Sequence, residues 1–261
     1  MKPSQSTSEL LTQLLDRGLL LTDTVNTDRA LRYLRLDGYY RLSGYFWFFY
    51  DETKLPEHQF KKDTTWDDVL HIYHADKDLR YLLTQALAEI EISMKAILVD
   101  TVCERLKKGF QETDDPSWCW NPTYYQRSFQ DSKDSKDSGF TKLRQKLERN
   151  RDNKHSELFL KKFVENNPNQ NPYTWMMMQT LTFGEVANIV NNLDLHLIEG
   201  FSEIFTLGMV EMTSVLNSLN KLRNACAHHN RVWNTTIRDC PTPKVAVCLR
   251  PTQHWVVADL C

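Results

Sequence analysis

The amino-acid sequence predicts a mainly α protein that folds as a helical bundle. Most long segments repeat apolar residues at intervals of three and four, which is the spacing of one helix face. Only 8 glycines and 9 prolines punctuate 261 residues, and 41% of the side chains are hydrophobic. A chain of this size can bury a proper core, as one large domain or two small ones.

The first predicted helix covers residues 27–37, with Asn26 or Thr27 as its N-cap and Gly38 as the residue that stops or bends it. An aromatic block, YYRLSGYFWFFY (39–50), follows. Aromatic side chains in a folded domain usually lie in the core, although exposed ones could stack on unpaired bases. Four of these side chains are therefore expected to pack against the next helix: Tyr39, Tyr45, Trp47 and Phe48.

The longest predicted helix runs from about Asp76 to Lys108 and carries one broad apolar stripe. The stripe consists of Leu79, Leu82, Leu83, Leu87, Ile90, Met94, Ile97, Leu98 and Val102. Four charged residues interrupt the helix and are expected to point mostly outward: Lys77, Arg80, Glu89 and Lys95. Arg41 is expected to support the aromatic block by pairing with an acid such as Glu91 or Asp37.

The following region predicts a mobile loop at about 127–139 and then a basic helix over 140–164. This helix holds eight Lys or Arg against three acids, so it is the best candidate surface for an RNA backbone. A run of charges is, however, most often a solvated face. The candidate RNA contacts here are Lys142, Arg144, Lys146 and Arg149.

Composition bounds the class of partner and the compartment. A formal net charge of −2 and a pI near 6.4 give no overall cationic field for nucleic acid, so such binding would need a local patch. The six cysteines form no CxxC pair, which argues against a zinc ribbon and suits free thiols in a reducing compartment. The N-terminus shows no leader pattern and no segment could span a bilayer, so we expect a cytoplasmic protein without a membrane partner.

Three regions are expected along the chain: an N-terminal segment (1–26), a helical domain (27–237) and an irregular C-terminal tail (238–261). Within the domain, residues 173–193 predict a helix that is bent or interrupted near Gly184. Residues 208–232 predict the last helix.

The last helix carries LRNACAHHNRVWN (222–234), which raises the question of function. On a helical wheel, Trp233 falls in the core sector and supports the structure, whereas Asn224, His228 and Arg231 share the opposite side. His229 falls near the core edge, which favours a structural role. Asn224 lies four residues before His228 and could therefore orient its imidazole.

An ordinary structural reading of the same helix is also open. Arg223 could pair with a carboxylate such as Glu91, and the histidines could cap the last turn. His71, His74 and Asp78 share a helical face, but three ligands without a fourth make a weak metal site, and a surface helix is the better interpretation. We expect neither a metal nor another cofactor.

The whole string at 222–234 resembles the signature of the abortive-infection (Abi) proteins of the AbiD/AbiF type, a branch of the HEPN superfamily. Three further segments agree in order: YLRLDGYYRLSGYFWFF (33–49), DKDLRYLLTQALAEIEISMKAIL (76–98) and WMMMQTLTFGEVANIV (175–190). The resemblance implies an all-α, HEPN-like bundle, here with an N-terminal helical and aromatic extension. It also implies phage defence by a metal-independent endoribonuclease, and some related proteins act with a small noncoding RNA.

The chemistry expected of such a nuclease matches the residues of the motif. RNA supplies its own nucleophile, the 2′-hydroxyl, and cleavage leaves a 2′,3′-cyclic phosphate. His228 suits proton transfer, Arg223 suits the phosphate, and Asn224 orients the imidazole or a phosphate oxygen. His229 and Arg231 are further candidates for contact with RNA. Because cleavage uses both an acid and a base, a homodimer with two facing motifs is expected.

Two other functions remain open from the sequence. The same Arg and His could grip a structured noncoding RNA without cleaving it, in a ribonucleoprotein. Alternatively, the face formed by residues 224, 228 and 231 could be a surface for a protein partner.

Overall fold

The computed structural model describes residues 4–110, 114–130, 138–153 and 155–236. Within these ranges the regular structure is helical, and extended chain pairs only in isolated bridges such as Leu20 with Thr65. The prediction of a mainly α protein is confirmed. The expected tail at 238–261 lies outside the described residues, and so does the part of the expected loop at 131–137.

Eleven α-helices are named here within the described residues. In chain order they are α1 (Thr7–Asp16), α2 (Thr27–Tyr33), α3 (Tyr39–Phe46), α4 (Trp66–Arg105), α5 (Arg127–Gln130), α6 (Gly139–Arg151), α7 (Leu158–Asn166), α8 (Thr174–Thr180), α9 (Phe183–Asn192), α10 (Leu195–Ile204) and α11 (Met209–Ala227). Two π-helical segments, Leu34–Gly38 and Leu106–Phe110, follow α2 and α4 directly.

The described residues divide into two compact units. Unit 1 comprises the described residues of 4–83 and 225–235, and unit 2 comprises those of 84–224 and residue 236. The expected N-terminal segment, 1–26, belongs to unit 1 and contributes buried Leu11 and Leu14 from α1 to its core. The boundary near the C-terminus falls inside the motif at 222–234, between Asn224 and Ala225.

The core of unit 1 is built largely from the aromatic block and the first turns of α4. Tyr45 and Phe46 are buried, and the Phe46 ring meets that of Trp66 edge to face at 5.8 Å. The expected packing therefore holds for Tyr45. Trp47, in contrast, is 55% exposed and Tyr40 is 93% exposed, because they lie on the outer side of this turn of chain.

Helix α2 begins where the sequence predicts, but it ends at Tyr33, and a π-helical segment continues the predicted helix to Gly38. The Asn26 side chain accepts a hydrogen bond from the Arg29 amide at 3.1 Å, so Asn26 is the N-cap. Gly38 has a φ of 84°, a conformation that glycine adopts without steric cost, and it joins the π-helical segment to α3.

Helix α4 starts earlier than the sequence predicts. Thr65 precedes its first turn and exchanges two hydrogen bonds with Asp68, a capping arrangement that the apolar stripe alone does not reveal. Lys77 and Glu89 are exposed as expected, but Arg80 is 6% exposed and Lys95 is 9% exposed. The expectation that these two cations point outward is wrong, since each has an acid four residues before it.

Unit 2 packs the remainder of α4 and helices α5 to α10, together with most of α11, around a second core. The predicted single basic helix over 140–164 is two helices, α6 and α7, with a break between residues 151 and 158. The interruption expected near Gly184 lies between α8 and α9. There Thr182 forms a capping box with Glu185 and starts a new helix.

Candidate functional site

The helix that carries the motif is shorter than predicted. Helix α11 ends at Ala227, so the expectation of a helix through residue 232 is wrong and Arg231 and Trp233 do not lie on it. The His229 amide donates to the Cys226 carbonyl at 3.0 Å, and the Asn230 amide donates to the Ala225 carbonyl at 2.8 Å. These two bonds form a Schellman motif, which closes the helix and turns the chain away from its axis.

His229 occupies the position of this motif where glycine is usual. Its φ is 56°, in the left-handed region that a side chain with a Cβ adopts at a cost. The His228 side chain, one residue earlier, is exposed. The turn therefore presents an imidazole to solvent from a backbone that other contacts must hold in place.

In unit 2, the Arg223 side chain belongs to a three-residue ionic group with α4. Its Nε lies 3.8 Å from Glu91 Oε2, and the other Glu91 oxygen accepts a hydrogen bond from Lys95 Nζ at 2.8 Å. The Glu91 and Lys95 side chains are 18% and 11% exposed, whereas Arg223 is 37% exposed. Arg223 is thus only loosely paired with Glu91, and its guanidinium remains in contact with solvent. A guanidinium in this state can bind an anion.

Asn224 lies beside Asn220 on the neighbouring turn of α11. Its Nδ2 donates to Asn220 Oδ1 at 3.5 Å, a long bond, and the side chain is exposed. Asn220 itself packs on Gly184 of α9, where an added Cβ would lie 2.9 Å from Asn220 Oδ1. The glycine within α9 therefore permits a close approach of two helices in unit 2.

In unit 1, a buried carboxylate holds the segment that follows the turn. Asp76 Oδ1 accepts the main-chain amides of Val232 at 3.0 Å and Trp233 at 2.6 Å. Its Oδ2 accepts the Tyr45 hydroxyl at 2.5 Å and is ion-paired with Arg80. Asp76 is 1% exposed, so its carboxylate is withdrawn from water.

Two arginines contact the same segment through its carbonyl groups. Arg80 Nη1 donates to the Asn230 carbonyl at 3.4 Å, and Arg41 donates to the His229 carbonyl. The sequence predicts an acidic partner for Arg41, but its partner in unit 1 is this carbonyl, while Asp37 accepts the Tyr73 hydroxyl at 2.5 Å. Arg41 thus supports the turn that carries the motif.

The low-dielectric surroundings of Asp76 shift the titration of its neighbours. Burial, and then the hydrogen bond to the Asp76 carboxylate, raise the pKa of Tyr45 to about 12. Burial alone would lower the pKa of Arg80, but the hydrogen bond to Tyr45 and the charge of Asp76 raise it on balance. Arg80 is therefore charged, and Tyr45 is a neutral donor, at any physiological pH.

Arg231 and Trp233 are docked on the aromatic block of unit 1. Arg231 Nη1 donates to the Gly44 carbonyl at 3.2 Å, and its guanidinium carbon lies 4.8 Å from the centre of the Phe48 ring. The Trp233 ring meets Phe48 edge to face at 4.5 Å. Both side chains anchor the end of the motif, which is the structural role that the sequence assigns to Trp233 alone.

The four basic candidates of α6 are all on its outer side or flank. Lys142 and Arg149 are exposed. Arg144 pairs with Glu148 at 3.0 Å, and Lys146 pairs with Glu185 of α9 at 3.1 Å. Glu148 and Glu185 therefore offset the charges of Arg144 and Lys146.

Sequence reasoning missed Asp76 and Arg80 as parts of the site. Both lie in the segment 76–98, which the family resemblance covers, but the apolar stripe of this segment was interpreted from its leucines and not from its charged residues. The available signal was the spacing: an acid and an arginine four residues apart at the start of a buried stripe can satisfy each other inside it. Glu91 and Lys95 repeat that spacing further along α4.

The described fold and motif define an all-helical protein whose polar motif straddles the end of its last described helix. A family model described as Abi-like protein matches residues 32–234. The chain belongs to this family, and membership associates it with abortive infection, a form of antiviral defence. No curated protein and no solved structure matches the chain.

None of the helices in the described part of the chain is long and apolar enough to cross a membrane. Among the same residues, no group of three or more His, Cys, Asp or Glu side chains could hold a metal ion. Cys103, Cys119 and Cys226 are not joined in disulfides.

Proposed function

We propose that this chain is a metal-independent endoribonuclease of the HEPN type, acting in abortive infection. The observation that carries the proposal is the accessibility of the motif's two reactive side chains. Arg223 keeps 37% of its side chain exposed although it lies beside Glu91, and the His228 side chain is exposed. Membership of the Abi-like family supports the biological setting.

The proposed reaction uses the 2′-hydroxyl of RNA as the nucleophile. His228 transfers the proton, since an imidazole exchanges protons readily near neutral pH. Arg223 binds the non-bridging phosphate oxygens, on which negative charge develops, and Asn224 orients the imidazole or a phosphate oxygen. The products are a 2′,3′-cyclic phosphate and a free 5′-hydroxyl, and DNA resists because it lacks the nucleophile.

The motif supplies one proton-transferring histidine, whereas cleavage uses an acid and a base. A homodimer with two motifs in one cleft supplies both, and this is the assembly we propose. RNA is the proposed substrate, and a small noncoding RNA is a proposed further partner. The compartment that suits this function is the cytoplasm.

Flanking RNA is proposed to contact basic groups outside the reaction centre. Lys142 and Arg149 are exposed on α6, and Arg144 and Lys146 lie beside them with acidic partners. His229 is exposed in the turn, but Arg231 is committed to Gly44 and Phe48, so its contribution to RNA binding is expected to be the smaller of the two.

The test compares the wild-type protein with His228→Ala and Arg223→Ala on mixed single-stranded RNA in EDTA. Loss of a general acid or base is expected to lower the cleavage rate by about 100- to 10,000-fold. Loss of the guanidinium is expected to lower it by about 100- to 1,000-fold. Product ends are read by their sensitivity to a phosphatase, which removes a 3′-phosphate only after the cyclic phosphate is opened.

The chain offers a matched control for each variant. Arg105 is 41% exposed and lies 3.9 Å from Glu199, so Arg105→Ala removes an equally loose ion pair of the same unit. His196 is an exposed histidine at the start of α10, and His196→Ala removes an imidazole away from the motif. Equal activity of His228→Ala and wild type would refute the proposal. A discrete copurifying RNA without any cleavage would instead favour a noncatalytic ribonucleoprotein.

A further inference from the structure

The Asp76–Arg80 pair of unit 1 makes three hydrogen bonds to main chain. Asp76 binds the amides of Val232 and Trp233, and Arg80 reaches the carbonyl of Asn230. Tyr45 joins the pair by donating to Asp76 and accepting from Arg80 at 3.2 Å. A buried pair on α4 therefore fixes the backbone just after the turn that carries His228.

Stability alone does not account for a buried ion pair. Withdrawing two charges from water is costly, and well-packed apolar residues of similar volume often stabilise a protein as much or more. Charged groups instead make the geometry specific, because a buried carboxylate needs hydrogen-bond donors and a buried guanidinium needs acceptors at fixed distances and angles. Here several of those donors and acceptors are main-chain groups of residues 230–233, so the pair fixes the conformation of the motif's backbone.

The turn itself needs such support. His229 has a φ of 56°, which few residues with a Cβ tolerate without a constraint. The helix has ended at Ala227, so the intrahelical ladder no longer holds the chain. The main chain after the turn is held by Asp76 and Arg80, together with the hydrogen bond from Arg41 to the His229 carbonyl. The side chains of Arg231 and Trp233 add contacts with the aromatic block.

We propose that Asp76 and Arg80 are positioning residues, which hold residues 230–233 and thereby fix the place of the His228 imidazole. The inference rests on the proposed function for the part that concerns catalysis. Its structural part, a fixed imidazole, is independent of any activity. Neither residue contacts the reacting atoms; each acts through the main chain of the motif.

The test uses full-length protein carrying Asp76→Asn, with Asp78→Asn as the matched control. Asp78 lies on the same helix, two residues away, and is exposed. Three quantities are measured: amide hydrogen exchange of Val232 and Trp233, the NMR signal of the His228 ring, and the steady-state kinetics of RNA cleavage. Asp76→Asn is expected to speed exchange of the two amides about 10-fold. It is also expected to shift the His228 ring signal towards that of a free histidine.

The kinetic expectation separates positioning from folding. A displaced imidazole lowers kcat by about 100-fold, whereas KM for RNA stays within about twofold because Asp76 does not touch substrate. Arg80→Lys, a milder second variant, keeps the charge but loses the fork that reaches Tyr45 and Asn230. It is expected to give a smaller change of the same kind, and it serves if Asp76→Asn fails to fold.

Each outcome decides the inference. An unchanged His228 ring signal in both variants overturns it, and so does a shifted ring signal with an unchanged kcat. If the wild type does not cleave RNA, the proposed nuclease fails, and the exchange and ring measurements alone decide whether Asp76 holds the turn. Equal effects of Asp78→Asn and Asp76→Asn on the ring would show a general response to lost charge and would also overturn the inference.

Discussion

Helix α4 carries two ion pairs of the same pattern, and they hold the motif in different ways. Asp76 and Arg80 in unit 1, like Glu91 and Lys95 in unit 2, are an acid and a base four residues apart. One carboxylate oxygen of Asp76 accepts hydrogen bonds from two main-chain amides. One carboxylate oxygen of Glu91 instead faces the side chain of Arg223. The Asp76–Arg80 pair therefore holds main chain in place, whereas the Glu91–Lys95 pair attracts the charged side chain of Arg223.

The difference follows from burial and from the kind of partner. The Asp76 side chain is 0% exposed, so each of its contacts is made in a low dielectric and is costly to lose. Glu91 keeps 18% exposure and faces a guanidinium 3.8 Å away, close enough for attraction but too far for a hydrogen bond. The proposed reaction uses both arrangements: a fixed turn would orient the His228 imidazole, and a loosely paired Arg223 would be able to move to a phosphate group.

The largest expected effect comes from Asp76→Ala. Removing one member of a buried ion pair leaves Arg80 charged in a site without its carboxylate, which costs about 3–5 kcal/mol of unfolding free energy. Two main-chain amides lose their acceptor as well. Urea unfolding, followed by tryptophan fluorescence, measures the loss. Asp78→Ala, at an exposed position of the same helix, is expected to stay within about 0.5 kcal/mol of wild type. A similar loss in both variants would show that burial of Asp76 does not set the size of its effect.

The next effect concerns alkaline pH and the Tyr45 hydroxyl. Burial and the bond to Asp76 raise the pKa of Tyr45 to about 12 in the folded state, above the ordinary value of 10.0. The folded state therefore holds this proton more tightly than the unfolded chain does. The corresponding stability is present below pH 10 and is lost as the pH rises through about 12.

Tyr45→Phe is the variant that isolates this contribution. Wild type is expected to lose roughly 2 kcal/mol more than Tyr45→Phe between pH 9 and pH 12, since one pKa unit corresponds to about 1.4 kcal/mol. Unfolding free energies of both proteins across this range measure the difference. Other buried tyrosines titrate in both proteins and cancel. Parallel pH profiles would show that Tyr45 does not share a proton-dependent bond with Asp76.

A smaller effect is expected when the second pair is changed. Glu91→Gln keeps an acceptor for Lys95 but removes the charge between two cations, so the loss of stability should be about 1 kcal/mol. Glu199→Gln, which removes the 60% exposed partner of Arg105, should cost about 0–0.5 kcal/mol. Thermal unfolding of both variants beside Asp76→Ala ranks the three carboxylates. If Glu91→Gln lowered the unfolding free energy as much as Asp76→Ala does, the two ion pairs would contribute equally to stability, and the contrast between them would not hold.

Much of the helical framework was predictable because local signals fix it. Asn26 and Gly38 mark the two ends of the first predicted helix, and the structure has both. The apolar stripe of α4 is real as well, although Leu82 is 63% exposed. The helix starts earlier than the stripe because its cap, Thr65 with Asp68, lies outside the periodic pattern.

The end of α11 was not predictable from periodicity. Residues 228–232 continue the helical spacing, yet the chain leaves the helix at Ala227 because partners distant in sequence bind the following backbone. The ordinary structural reading of the motif, in which Arg223 pairs with a carboxylate such as Glu91, agrees with the contact found in unit 2. Arg231 was placed on a polar helix face, but its contacts with Gly44 and Phe48 depend on a turn that no local pattern encodes.

The smallest expected effect tests how much of the turn's geometry is set by the anchors and how much by residue 229 itself. His229→Gly relieves a left-handed conformation but also loosens the unfolded chain, so the net gain in unfolding free energy should be about 0.5–1 kcal/mol. Asn234, with a φ of 50°, offers the control, because asparagine tolerates this region better and Asn234→Gly should change stability by less than about 0.5 kcal/mol. If the anchors dominate, Val232 and Trp233 keep their slow amide exchange in His229→Gly. Fast exchange there would mean that the residue at the turn, rather than Asp76, holds the segment.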